Sequence, residues 1–80
     1  MTRFQIQSAV AELLSITVGR RIAQTESVTR DFEPTWDSLK HIELILILEE
    51  HFGVRFSEEE MAALRSSDEI VRLIEEKSAA

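Results

Sequence analysis

Apolar residues return at helical intervals in four places along the chain, and a capping signature stands ahead of each. Thr2 and Gln5 have capping-box spacing, and Phe4, Ile6, Val10, Leu13 and Leu14 follow, which predicts a first helix from Arg3 to about Ile16 with Gly19 as its breaker. Asp37 precedes the strongest apolar run, from Leu39 to Phe52. Ser57 and Glu60 repeat the capping spacing ahead of a short helix, Glu58 to Leu64, in which Met61 and Leu64 lie one turn apart. Ser66 and Glu69 do so again before Ile70, Val71, Leu73 and Ile74.

From Gly19 to Asp37 the chain is polar and punctuated, with isolated Ile22, Val28 and Phe32 and a proline at position 34. A connection this long in a compact domain is usually functional, so its apolar residues are expected to pin it to the helices. A short helical turn is expected near Arg20 to Ala23. Pro34 pushes Glu33 toward extended backbone and makes a sharp entry to the second helix. No alternating run of strand length occurs, the nearest being Gly53-Val54-Arg55-Phe56. The pattern predicts an all-α bundle of four helices, three long and one short, with a long first loop, and residues 1–80 forming one domain. Its expected core is Phe4, Ile6, Val10, Leu13, Ile42, Ile45, Leu48, Phe52, Val54, Phe56, Leu64, Ile70 and Leu73.

The apolar arc of the second helix is wider than core packing requires. At about 100° per residue, Ile42, Ile45, Leu48 and Phe52 fall on one side, with Lys40, Glu43, Ile47 and His51 broadly opposite. Leu39, Glu43, Leu46 and Glu50 form a further stripe along the flank. Alternating apolar and acidic residues suit a docking surface, where a basic partner meets the acids while the leucines enter a shallow pocket.

Composition narrows the chemistry. Eighty residues suffice for one modest core, and without cysteine there is neither a disulfide nor a thiolate nucleophile. Met1-Thr2-Arg3-Phe4 does not open a secretory signal and no apolar stretch reaches spanning length, so a cytoplasmic protein without membrane insertion is expected. The formal net charge of −6 is uneven: residues 1–30 carry four arginines against two glutamates, residues 31–80 five basic against thirteen acidic side chains. An acidic half of this kind repels nucleic acid and favours proteins with basic docking patches.

Ser38, between Asp37 and Leu39, stands where the first turn of a helix offers unpaired N–H groups and the positive end of its dipole, a favourable place for a phosphodiester. Asp37 is the candidate N-cap, and Trp36 just before it is placed to staple the helix start and form a wall beside whatever Ser38 carries. The run from Trp36-Asp37-Ser38-Leu39 through Glu49-Glu50-His51-Phe52-Gly53 resembles the acyl and peptidyl carrier proteins over most of the chain, most specifically in the spacing from Ser38 to Glu49-Glu50 and Phe52. The resemblance implies a four-helix carrier of the discrete type, monomeric and with no catalytic residue of its own. Its Ser38 would take a 4′-phosphopantetheine arm from coenzyme A by way of a phosphopantetheinyl transferase. It also implies thioester cargo exchanged with acyl- or aminoacyl-loading ligases and acyl-processing enzymes that dock on Leu39, Glu43, Leu46, Glu49 and Glu50. Trp36 resembles discrete carriers of specialised pathways more than fatty-acid carriers, and Lys40 replaces an acid common in the latter. The alternative, from another class, is an unmodified helical adaptor that uses the same stripe.

Other constellations fail on geometry. His41 and His51 are too far apart along one helix to share a metal, so both are expected on the surface or flank. Ser38 and His41 lack an orienting acid and an oxyanion-hole pattern. Asp31, Glu33, Thr35 and Asp37 have part of a calcium-loop spacing, but Trp36 and Ile42 stand where its glycine and closing glutamate are needed. The apolar excess of Leu44, Leu46, Ile47 and Leu48 suggests partial shielding of an acyl cargo between helices.

Overall fold

The computed structural model describes residues 2–79. Four helices follow in chain order: α1 at Arg3–Val18, α2 at Ser38–Phe52, α3 at Glu58–Ala63 and α4 at Ser67–Ala79, with a 3₁₀ turn at Arg30–Phe32 inside the long first loop. No strand occurs among the described residues, and Thr29 and Ser66 form an isolated antiparallel bridge. The chain is an all-α bundle in which α1 packs against both α2 and α4.

Local chemistry sets the helix ends. Thr2 Oγ1 accepts from the Gln5 N–H at 3.1 Å while the Gln5 side chain accepts from the Thr2 N–H at 2.9 Å. Gly19 closes α1 in the left-handed region (φ 79°), which only glycine enters without steric cost, and extends the helix two residues past Ile16. Ser57 and Glu60 form the second capping box, at 3.1 and 2.8 Å. Ser66 caps α4 by accepting from the Glu69 N–H at 3.2 Å.

The core holds Ile6, Val10 and Leu14 of α1, Leu44, Ile45 and Leu48 of α2, and Ile70, Val71 and Ile74 of α4, with Phe56 and Leu64 between them. Two expected core residues are outside it. Phe4 shares a face of α1 with exposed Ser8, Glu12 and Ile16, so the helix phase turns it to solvent. Ile42 is exposed because α2 is rotated from the expected phase: His41 and Leu44 point inward with Ile45 and Leu48. Leu13, Phe52, Val54 and Leu73 are half-buried at the rim. Burial of Leu44 and Leu48 also assigns half of the supposed apolar excess of α2 to the core, which weakens the argument for shielding a cargo.

The long loop is fastened at intervals. Ile22, Val28 and Trp36 are buried, whereas Phe32, expected to pin the loop together with Ile22 and Val28, is 87 % exposed on the 3₁₀ turn. Ser15 Oγ accepts from the Ile22 N–H at 2.8 Å, and Val28 exchanges two hydrogen bonds with Ser67 at 2.9 and 2.8 Å. Arg20 bridges the Glu26 and Glu33 carboxylates at 2.8 and 2.9 Å. These ties hold residues 20–23 out of the expected helical turn, and the turn forms at Arg30–Phe32 instead.

Candidate functional site

Ser38 occupies the first position of α2 with its side chain exposed. The preceding residues fix it there. Asp37 is the N-cap, its Oδ1 accepting from the Lys40 N–H at 2.9 Å. Glu33 takes the extended conformation that Pro34 demands (φ −124°, ψ 90°), and its carbonyl accepts from the Trp36 N–H at 2.9 Å.

Trp36 is only 2 % exposed. It lies one residue before the N-cap and His41 four into the helix, the two positions of a hydrophobic staple. Here the staple is also a hydrogen bond, because the indole Nε1–H donates to His41 Nδ1 at 3.0 Å. An indole N–H can only donate, so Nδ1 is the acceptor and His41 Nε2 carries the proton, donating to the Met61 carbonyl at 2.8 Å. The chain Trp36–His41–Met61 therefore locks the loop, α2 and α3 together. Two sequence expectations change with it. His41 is a buried structural residue and not a surface one, and the indole faces the core, so it forms no wall beside Ser38. With both ring nitrogens engaged, His41 has none free to act as a base on Ser38.

Arg30, which no periodicity or spacing singles out, reaches the same place from the 3₁₀ turn. Its Nε donates to the Trp36 carbonyl at 3.1 Å and its Nη2 to Ser38 Oγ at 3.3 Å. The Ser38 hydroxyl thus has a guanidinium and a helix N-terminus around it, a donor set whose charge and hydrogen-bonding capacity fit a phosphodiester.

Downstream, the exposed side of α2 carries Leu39, Ile42 and Leu46 at 65, 59 and 60 % exposure, with Glu43 and Glu50 beside them. Ile42 joins this stripe as a consequence of the changed helix phase. Lys40 pairs with Glu43 at 3.5 Å. Glu49 stands apart: half-buried, it accepts from the Phe56 N–H at 2.9 Å and anchors the α2–α3 loop. One of its oxygens is committed inside the fold, unlike those of Glu50.

Proteins similar over nearly the whole chain are known. An acyl carrier protein of Thermosynechococcus vestitus is 33 % identical over 76 residues, 95 % of this chain and 90 % of its own length. Acyl carrier proteins of Helicobacter pylori strains G27 and HPAG1 are each 33 % identical over 75 residues, 94 % of this chain and 92 % of theirs. The chain belongs to the acyl carrier protein family. No protein-family model and no solved structure matches it. Membership accords with the carrier-type bundle and supports a carrier role for the chain. No helix among the described residues is long and apolar enough to cross a membrane.

Proposed function

We propose that this protein is a discrete, monomeric acyl or aminoacyl carrier of the cytoplasm whose Ser38 is esterified with 4′-phosphopantetheine. The observation that carries the reading is an exposed serine at the first turn of α2, beside an arginine, in a member of the acyl carrier protein family. A phosphopantetheinyl transferase would join Ser38 Oγ to the phosphorus of coenzyme A nearest the pantetheine, expel 3′,5′-ADP and take up the serine proton. The arm supplies a terminal thiol, able to hold acyl groups as thioesters, in a chain that has no cysteine. The protein's own residues do the rest. Asp37, Trp36 and His41 hold the helix start rigid, Ser38 presents the arm outward, and the stripe of Leu39, Ile42, Leu46, Glu43 and Glu50 offers partner enzymes an apolar strip edged with carboxylates. Tethering raises the cargo's effective concentration at a docked enzyme.

The experiment is intact mass after incubation with coenzyme A and a broad-specificity transferase. A gain of one phosphopantetheine supports the carrier reading. An unchanged mass with the transferase active on a control carrier leaves the unmodified adaptor, for which the exposed Leu39–Ile42–Leu46 strip would be the binding surface.

A further inference from the structure

Arg30 has a cation's capacity left over in the one place where the proposed function brings a new anion. The cations around it are already paired: Arg20 with Glu26 and Glu33, Lys40 with Glu43, and Arg65 with Asp31. Arg30 has no carboxylate partner among the described residues, and the residue is half-buried. It is held in place by its Nε bond to the Trp36 carbonyl, which leaves the Nη edge turned to Ser38 Oγ.

The backbone of Arg30 is as firmly held as the side chain. Its N–H donates to the Arg65 carbonyl at 2.7 Å, next to the Thr29–Ser66 bridge, and its carbonyl accepts from the Glu33 N–H at 3.1 Å. An anion on Ser38 that pairs with Arg30 is thereby connected through one residue to the first loop and to the α3–α4 junction.

We propose that Arg30 is the phosphate clamp of the loaded carrier: once Ser38 is esterified, the guanidinium pairs with the phosphodiester and ties the arm's root to the 3₁₀ turn. The proposal rests on the carrier reading of Ser38. Asp37 is the acid nearest in sequence, and its carboxylate is engaged with the Lys40 N–H, so Arg30 meets the phosphate together with the first-turn amides. The pairing replaces a long contact to a neutral hydroxyl by an ion pair with an anion, so loading Ser38 stiffens the loop as well as adding cargo. A planar guanidinium can offer two parallel donors to phosphate, which lysine cannot.

The test compares apo and loaded protein for the wild type, Arg30→Gln, Arg30→Lys and, as a control of equal charge change, Arg55→Gln, at low ionic strength where an exposed pair is least screened. Mass confirms loading at Ser38 in each. The expected result is that loading raises Tm by about 2–5 °C in the wild type and in Arg55→Gln, by less in Arg30→Lys and not at all in Arg30→Gln. An equal rise in Arg30→Gln and the wild type overturns the clamp while leaving the carrier function intact. Should Arg30→Gln fail to fold, the Arg30 side-chain ¹⁵N–¹H resonances of the wild type decide: a shift and slower solvent exchange on loading support the clamp, and unchanged resonances overturn it. Absence of any mass gain at Ser38 in the wild type removes the carrier reading and the clamp with it.

Discussion

His41 shows how a single buried polar residue can set the phase of a helix. The apolar residues of α2 allow two registers, one burying Ile42 and one burying Leu44, and hydropathy alone does not choose between them. The choice is made by partners distant from the helical repeat, Trp36 and the Met61 carbonyl, which only the inward register can satisfy. Removing the imidazole leaves the buried indole N–H without a partner, at a cost of about 1–3 kcal/mol, whereas the Met61 carbonyl keeps the Leu64 N–H at 3.3 Å. His41→Ala is therefore expected to cost about 1–3 kcal/mol and to lower Tm by at least about 4 °C. Leu46→Ala, on the exposed side, should change stability by no more than about 0.5 kcal/mol while weakening partner docking. Paired thermal melts check both, and equal losses would mean that the face of α2 is misassigned. Arg30 illustrates the other limit of sequence reading. Its contact with Ser38 arises because the loop folds back, and no spacing rule encodes that.

At the scale of elements, what was legible in the sequence was what is chemically local. Thr2 with Gln5, Asp37, Ser57 with Glu60, and Gly19 mark ends within a residue or two of where they fall, since each cap is a contact between near neighbours in the chain. The first loop was not legible in that way. Its course depends on Ser15, Ser67 and Arg65 from other elements, and on the Arg20 clip. That clip has a pH signature. Hydrogen bonds from Arg20 hold the carboxyls of Glu26 and Glu33 below the ordinary value of 4.5, with further help from the Ala23 N–H and Thr35 hydroxyl respectively. Because the folded values are depressed, this contribution is present above the ordinary carboxylate range and is lost as pH falls through the folded values. Amide exchange at Ile22 to Glu26 should accelerate below about pH 4.5, relative to the bundle core, in the wild type. Arg20→Ala should show fast exchange there already at neutral pH, with little further change in acid. A loop equally protected in both proteins would remove the clip from the account.

Across the whole molecule, charge is segregated, and the acidic half contains both Ser38 and the exposed stripe. Between residues 43 and 60 six glutamates stand against Arg55. Such fields act mainly on the rate of encounter, so reversing Glu43 and Glu50 to lysine should slow phosphopantetheine transfer by a basic-faced transferase and flatten its salt dependence. Reversing Glu49 is expected to act differently, lowering stability through the lost bond to the Phe56 N–H. Unchanged transfer rates at low salt after the Glu43 and Glu50 reversals would separate docking from this stripe. The measurement that bears most directly on the whole is the site of modification. Ser57, Ser66 and Ser67 also stand at helix starts, so they are internal controls for Ser38. After incubation with coenzyme A and transferase, peptide mass mapping is expected to find one phosphopantetheine on the peptide holding Ser38, and Ser38→Ala is expected to abolish the gain with helical content unchanged. Modification at any of the other three serines, or a gain that persists in Ser38→Ala, would contradict it.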